Sequence, residues 1–143
     1  MAKTVGHILQ DKGSETWCVV PDASVYEALE IMADKNVGAL VVVEHGRIVG
    51  ILSERDYARK VILAGFGSKE MTVAEIMRPD PVTVGPEASV TQCMELMTDN
   101  RFRHLPVVVD GELVGVISIG DVVLAVIAEQ RFLIAQLESY ITG

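Results

Sequence analysis

The sequence predicts an α+β fold built twice from one helix-strand-helix-strand-strand-helix repeat. Three observations carry that prediction. Shifted by 65 residues, the chain matches itself at 17 of the 44 positions from Pro21 to Ala64, with no gap. Within each copy, stretches with helical spacing of apolar residues alternate with short, continuously apolar strands. Of the 143 residues, 50% are hydrophobic and 22% charged, and five are proline, a composition that supports a core and argues against disorder.

The repeat sets the elements in order. Val5–Leu9 and Val73–Met77 match at an offset of 68 and open the copies as short helical turns. The first copy then carries extra residues, in the loop Asp11-Lys-Gly-Ser-Glu15. Short strands follow at Trp17–Val20 and Val82–Val84. Pro21-Asp-Ala-Ser24 and Pro86-Glu-Ala-Ser89 place a serine where it caps a helix. Val25, Leu29, Met32 and Ala33 form the apolar stripe of the first helix, and Val90, Met94 and Met97 that of the second. Asn36-Val-Gly38 and Asn100–Arg103 end these helices. Strands at Ala39–Val43 and Ile48–Leu52 flank a turn at His45-Gly46, and strands at Leu105–Val109 and Leu113–Ser118 flank Asp110-Gly111. Closing helices are expected at Glu54–Leu63 and Ile119–Tyr140. One repeat of about 60 residues is marginal alone. The expected organisation is therefore repeat 1 over residues 1–70 and repeat 2, with its extended C-terminal helix, over 71–143, packed through their sheets with pseudo-twofold symmetry.

Charge and hydropathy exclude several functions. The net charge is −8 and the isoelectric point about 4.8, and no long basic run is present, so a nucleic acid partner is not expected. The longest apolar run, Val122–Ala128, falls far short of the roughly 20 residues of a membrane span. The first residues carry no apolar signal core. These features predict a cytoplasmic protein with no membrane partner. Cys18, in an apolar strand, and Cys93, on a helix, lack metal-ligand spacing and read as buried free thiols. Trp17 reads as a core plug, and His7 and His45 as uninformative.

The informative segment follows each hairpin. It reads Gly50-Ile-Leu-Ser53-Glu-Arg-Asp56 in the first copy and Gly115-Val-Ile-Ser118-Ile-Gly-Asp121 in the second. Ser53 and Ser118 sit where a strand becomes a helix, with Asp56 and Asp121 one turn later. Two readings stand side by side. The pair can be a capping box with Asp in the place of Glu. It can also be a nucleotide site, the carboxylate taking the two hydroxyls of a ribose and the helix N-terminus favouring a phosphate.

With these residues the chain resembles a pair of cystathionine-beta-synthase-type (CBS) domains, a Bateman module, over nearly its whole length. The carriers are Val5–Leu9, Asp22–Val25, Gly38–Val43 and Gly50–Asp56, with their second-copy partners Val73–Met77, Arg103-His-Leu-Pro-Val107 and Gly115–Asp121. The resemblance implies two clefts between the repeats for AMP, ADP or ATP, or for NAD(H) or S-adenosylmethionine. It implies that Ser53 with Asp56 marks one cleft and Ser118 with Asp121 the other, with Ile51 and Val116 flanking adenine. Val37-Gly38-Ala39 and Arg103-His104 would line the base and phosphate regions, and Thr4 and Thr72 are further candidates for adenine contacts.

The copies differ where a phosphate would lie. Arg103-His104 replaces Gly38-Ala39, and Gly120 replaces Arg55. A guanidinium or imidazolium offsets phosphate charge, so the Asp121 cleft is the expected nucleotide site. Arg59 and Lys60 read as solvated helix residues. No Walker loop, metal cluster or nucleophile-base arrangement stands out. The predicted function is a regulatory, non-enzymatic adenosyl-nucleotide sensor that signals through ligand-dependent packing or an effector protein. A homodimer is expected, because the C-terminal helix carries Val122, Val126, Phe132, Leu133 and Leu137. The alternative is a structural dimer module with vestigial clefts.

Overall fold

The computed structural model describes residues 3–142. They form two compact units. One comprises residues 15–82 with the hairpin tip 110–113, and is called the Asp56 unit below. The other comprises residues up to Ser14, residues 83–109 and residues from Val114 onward, and is called the Asp121 unit.

In the Asp56 unit, β1 (Cys18–Val19), β2 (Ala39–Glu44), β3 (Arg47–Ser53) and β4 (Arg78–Pro79) form a mixed sheet in that order. Its β1–β2 pair is parallel, and the other two pairs are antiparallel. Helix α2 (Val25–Lys35) starts at Ser24, whose hydroxyl accepts from the Glu27 N–H, and stops at Asn36 in the left-handed region (φ 55°). Asparagine tolerates that conformation, which frees the chain to turn into β2. Helix α2 buries Val25, Ala28 and Met32, with Leu29 packed alongside. Ala33, expected in the stripe, is exposed because the burying face turns through Ala28 instead. The core joins these side chains to Leu40, Val42 and Leu52 of the sheet and to Val73 and Ile76 of α4 (Val73–Ile76).

The Asp121 unit holds α5 (Val90–Asn100), β5 (His104–Val109), most of β6 (Glu112–Ser118) and α6 (Ile119–Thr142), with β5 and β6 paired as a two-stranded sheet. The Ser89 hydroxyl accepts from the Gln92 N–H, and the Gln92 amide oxygen accepts from the Ser89 N–H, closing a capping box. Val90, Cys93 and Met97 face a core that includes Leu105, Val107, Ile117 and Val122. Val5 and Ile8 of α1 (Val5–Lys12) complete it.

Each unit is thus closed by the opening helix of the other repeat. The Val5 and Gly6 N–H groups donate to the carbonyls of Ala88 and Pro86 at 2.9 and 2.8 Å, and the Val90 N–H donates to Lys3. In the Asp56 unit the Val73 and Ala74 N–H groups donate to Ala23 and Pro21 at 2.8 and 3.0 Å, and Val25 donates to Met71. The Pro-x-Ala-Ser segments therefore do two jobs. Their serines cap one helix, and their carbonyls take the otherwise unpaired first N–H groups of another.

Both hairpins turn through two residues of positive φ. His45 and Gly46 have φ of 52° and 76°, and Asp110 and Gly111 have 51° and 80°, as a two-residue turn matched to strand twist requires. Gly50 has a different reason. A Cβ there would lie 2.5 Å from Met77 Sδ and 2.9 Å from the Arg78 carbonyl oxygen, because β4 lies directly against β3.

Four further expectations change. The strand expected at Val82–Val84 is a single parallel bridge between Val84 and Val107. Pro81 and Pro86 flank it, and a proline has no N–H with which to extend a ladder. The first closing helix is α-helical only over α3 (Glu54–Tyr57) and continues as a π-helical turn, Ala58–Ile62. Cys18 is exposed, because β1 is an edge strand that turns only Val19 inward. Lys60 is more than a solvated side chain, since its ammonium donates to the Ile76 carbonyl at 3.0 Å. Trp17 does pack against the core, with the Lys35 ammonium 4.5 Å from its ring centroid.

Candidate functional site

The strand-to-helix junction after each hairpin builds the candidate site. In the Asp56 unit the Gly38 carbonyl accepts from the Glu54 N–H at 3.1 Å. In the Asp121 unit the Arg103 carbonyl accepts from the Ile119 N–H at 2.8 Å. These bonds set the helix-to-strand segments Val37-Gly38-Ala39 and Arg103-His104 against the Ser-x-x-Asp motifs. Ile51 is buried in β3 and Val116 partly buried in β6. Arg55 is exposed on α3 and Arg103 is exposed before β5.

Both motifs form capping boxes. Asp56 Oδ2 accepts from the Ser53 N–H at 3.1 Å and from its hydroxyl at 3.0 Å, while Ser53 Oγ accepts from the Asp56 N–H at 3.2 Å. Asp121 Oδ2 accepts from the Ser118 N–H at 2.8 Å, and Ser118 Oγ accepts from the Asp121 N–H at 3.2 Å. The capping reading of the sequence therefore describes a real structural role in both copies.

The two carboxylates then diverge. Asp56 is 4% exposed. Its Oδ1 faces Arg78 Nε at 3.6 Å and Lys60 Nζ at 3.9 Å. The Asp121 side chain is 20% exposed and carries one short ion pair, Lys12 Nζ to Oδ2 at 2.7 Å. Lys12 Nζ also donates to the Val116 carbonyl at 3.0 Å. Burial alone would raise the Asp121 carboxyl, but the Lys12 ammonium and the Ser118 N–H outweigh it and hold the group below its ordinary value. Asp121 also lines an open groove of about 260 Å³ between α1 and α6, together with Lys3, Ile8, Lys12 and Leu124.

Thr4 and Thr72 serve as helix N-caps. Thr4 caps α1, its N–H donating to His7 Nδ1 at 3.1 Å, so His7 has a local structural role. The Thr72 N–H donates to Glu75 at 3.0 Å. Thr4 belongs to the unit of Asp121 and Thr72 to that of Asp56, the reverse of their pairing by repeat. Sequence reasoning missed Lys12 and Arg78. Lys12 ends α1 and Arg78 follows α4, and each meets the carboxylate of the unit that its opening helix closes. The one available signal was their position, a basic residue three or two residues after Leu9 or Ile76.

Two α+β units with matching strand-to-helix junctions define a duplicated module. Among the described residues no group of three His, Cys, Asp or Glu side chains could hold a metal ion, and no helix is long and apolar enough to cross a membrane. The chain belongs to the CBS-domain family, whose model matches residues 14–62 and 73–128. It is similar to the CBS domain-containing protein CBSX3, mitochondrial, of Arabidopsis thaliana, with 44% identity over 98% of this chain and 72% of that protein. It is also similar to a protein with CBS domains from Burkholderia ambifaria MC40-6 whose structure is solved, with a TM-score of 0.84, 48% identity, and 90% and 96% of the two chains covered. A third relative is CBSX2, solved in complex with AMP, with a TM-score of 0.70, 28% identity, and 88% and 97% covered.

Proposed function

We propose that this chain is a regulatory module that binds an adenosyl nucleotide at the Ser118–Asp121 junction, and that it carries out no catalysis. The observation that carries the reading is the inequality of the two carboxylates. Asp56 is buried among three partner residues, which suits a structural capping box. Asp121 is held ionised at the start of a long helix, partly open to solvent, beside a cation and a groove. A diol needs an ionised acceptor and a phosphate needs a nearby positive charge, and only the second junction offers both in an accessible form.

AMP, ADP and ATP are the favoured ligands, supported by the AMP complex of CBSX2. NAD(H) and S-adenosylmethionine share the adenosyl group and remain within the reading. Ligand binding there bears on α1, β6 and α6 together, and so on any effector protein that contacts α6. Calorimetric titration of ligand-free protein with AMP, ATP and NAD tests the proposal. Binding to wild type that is lost in Asp121→Ala and retained in Asp56→Asn is expected. No heat with any of the three compounds overturns it.

A second reading, an interaction module that pairs with another copy, is favoured by α6. Leu124, Ile134 and Leu137 are 69%, 54% and 62% exposed, an apolar surface of the kind that marks a contact site. Light scattering on wild type and on Leu133→Glu/Leu137→Glu distinguishes the readings. A dimer that the double variant dissociates, in a protein indifferent to nucleotides, supports the second alone.

A further inference from the structure

We infer that Lys12 is a specificity latch: it occupies the nucleoside acceptors of the Asp121 site and yields them to ligands that bring their own negative charge. The inference rests on the nucleotide-binding reading above. Its geometry lies within one unit. The ammonium donates to Asp121 Oδ2 at 2.7 Å and to the Val116 carbonyl at 3.0 Å. Oδ2 also accepts from the Ser118 N–H. One carboxylate oxygen has about two acceptor positions, so this oxygen is full. A hydroxyl that reaches Oδ2 must displace Lys12, and a base amine that reaches the Val116 carbonyl must share it with the ammonium.

Displacement has opposite consequences for neutral and anionic ligands. An uncharged nucleoside breaks the ion pair and leaves the ammonium only water in return. A nucleotide gives the freed ammonium a phosphate, a charge-assisted partner at least as strong as the carboxylate it leaves. The lysine stem is long and flexible, and its side chain is 40% exposed, so the head group can swing without moving α1. The residue thus turns a site that reads ribose into one that discriminates by phosphate. The equivalent carboxylate, Asp56, is 4% exposed and faces the cations Arg78 and Lys60 at longer range. That arrangement has no short ion pair to exchange.

The test measures binding of adenosine and of AMP to wild type, Lys12→Met and Lys12→Arg by calorimetry. In Lys12→Met, adenosine should bind about 3-fold tighter, because a partly exposed ion pair no longer competes. AMP should bind about 5-fold weaker or worse, because its phosphate loses its cation. Lys12→Arg should keep the wild-type preference for AMP. Adenosine binding that appears only in Lys12→Met also supports the latch. If wild type binds both compounds and Lys12→Met shifts neither ratio, the latch is wrong and the nucleotide site stands. If neither wild type nor Lys12→Met binds either compound, the site itself is wrong and the latch falls with it.

Discussion

Replacing each motif aspartate by alanine separates structural from accessible carboxylates. At Asp56 the change removes the acceptor of the Ser53 N–H and hydroxyl, both within a part-buried cap. Loss of a cap costs about 1–2 kcal/mol. Leaving a buried donor unpaired adds about 1 kcal/mol or more. The ion pairs at 3.6 and 3.9 Å reach the Arg78 and Lys60 side chains, which are 40% and 46% exposed, so they add at most a few tenths of a kcal/mol. The total is about 3 kcal/mol. At Asp121 the cap is lost as well, but the freed Lys12 can hydrate and the carboxylate removed is itself 20% exposed, so about 1.5 kcal/mol is expected. For a chain of this size each kcal/mol lowers Tm by roughly 3–4 °C. Asp56→Ala should then melt about 10 °C below wild type and Asp121→Ala about 5 °C below, read by circular dichroism with urea melts as a check. Equal losses, or a larger loss at Asp121, would refute the assignment of Asp56 as the structural member of the pair.

Other outcomes follow from the same geometry. Gly50→Ala places a methyl against the Arg78 backbone carbonyl, whereas Gly115→Ala meets only the Leu9 side-chain tip at 2.7 Å. The first should cost about 2 kcal/mol and the second under about 1 kcal/mol by urea unfolding, and the reverse order would contradict the β3–β4 contact. The Asp121 pKa is depressed on folding despite the burial that acts to raise it. Its stabilisation is fully present above the ordinary value of 3.8 and disappears as pH falls through the lower folded value. The stability difference between wild type and Asp121→Asn should therefore be flat from pH 7 to about 5 and shrink below about 4, and a difference that grows on acidification would show the opposite sign. Cys18 is exposed as a residue, yet neighbouring atoms partly screen its sulfur from water; this desolvation pushes both thiols up, with a hydrogen bond from Thr16 partly offsetting it at Cys18. Ellman's reagent should titrate Cys18 slowly in native protein and Cys93 only in denaturant, and two thiols reacting at equal rates would contradict the buried position of Cys93.

Local signals carried most of the fold into the sequence. Ser24 and Ser89 begin their helices at the expected residues, and both two-residue turns fall where His45-Gly46 and Asp110-Gly111 mark them. These features depend on neighbours three or four positions away. What stayed hidden depends on distant neighbours. Strand β4 exists because Arg78 and Pro79 meet β3, and nothing in Arg-Pro has strand propensity. The Lys12–Asp121 pair spans 109 positions, and only the assembled unit brings the two together. The Ser-x-x-Asp motif was visible, but its two readings were not separable by spacing. The difference lies in burial, 4% at Asp56 against a 20% exposed side chain at Asp121, and burial is set by tertiary structure.

The exchange of opening helices has a consequence for the order in which the molecule assembles on the ribosome. Apart from its hairpin tip, the Asp56 unit is drawn from one unbroken stretch that ends at Val82. It can close once that stretch has emerged, with α4 arriving last to fill its own core. The Asp121 unit must join the first helix of the chain to Ala88 and then to α6, a loop of roughly 80 residues. Its contacts are far more non-local, which slows folding. Helix α1 is made first and docks last, and until then Val5 and Ile8 have no core to enter. Pulse-labelling hydrogen exchange should therefore protect Met32 and Leu40 amides before those of α1.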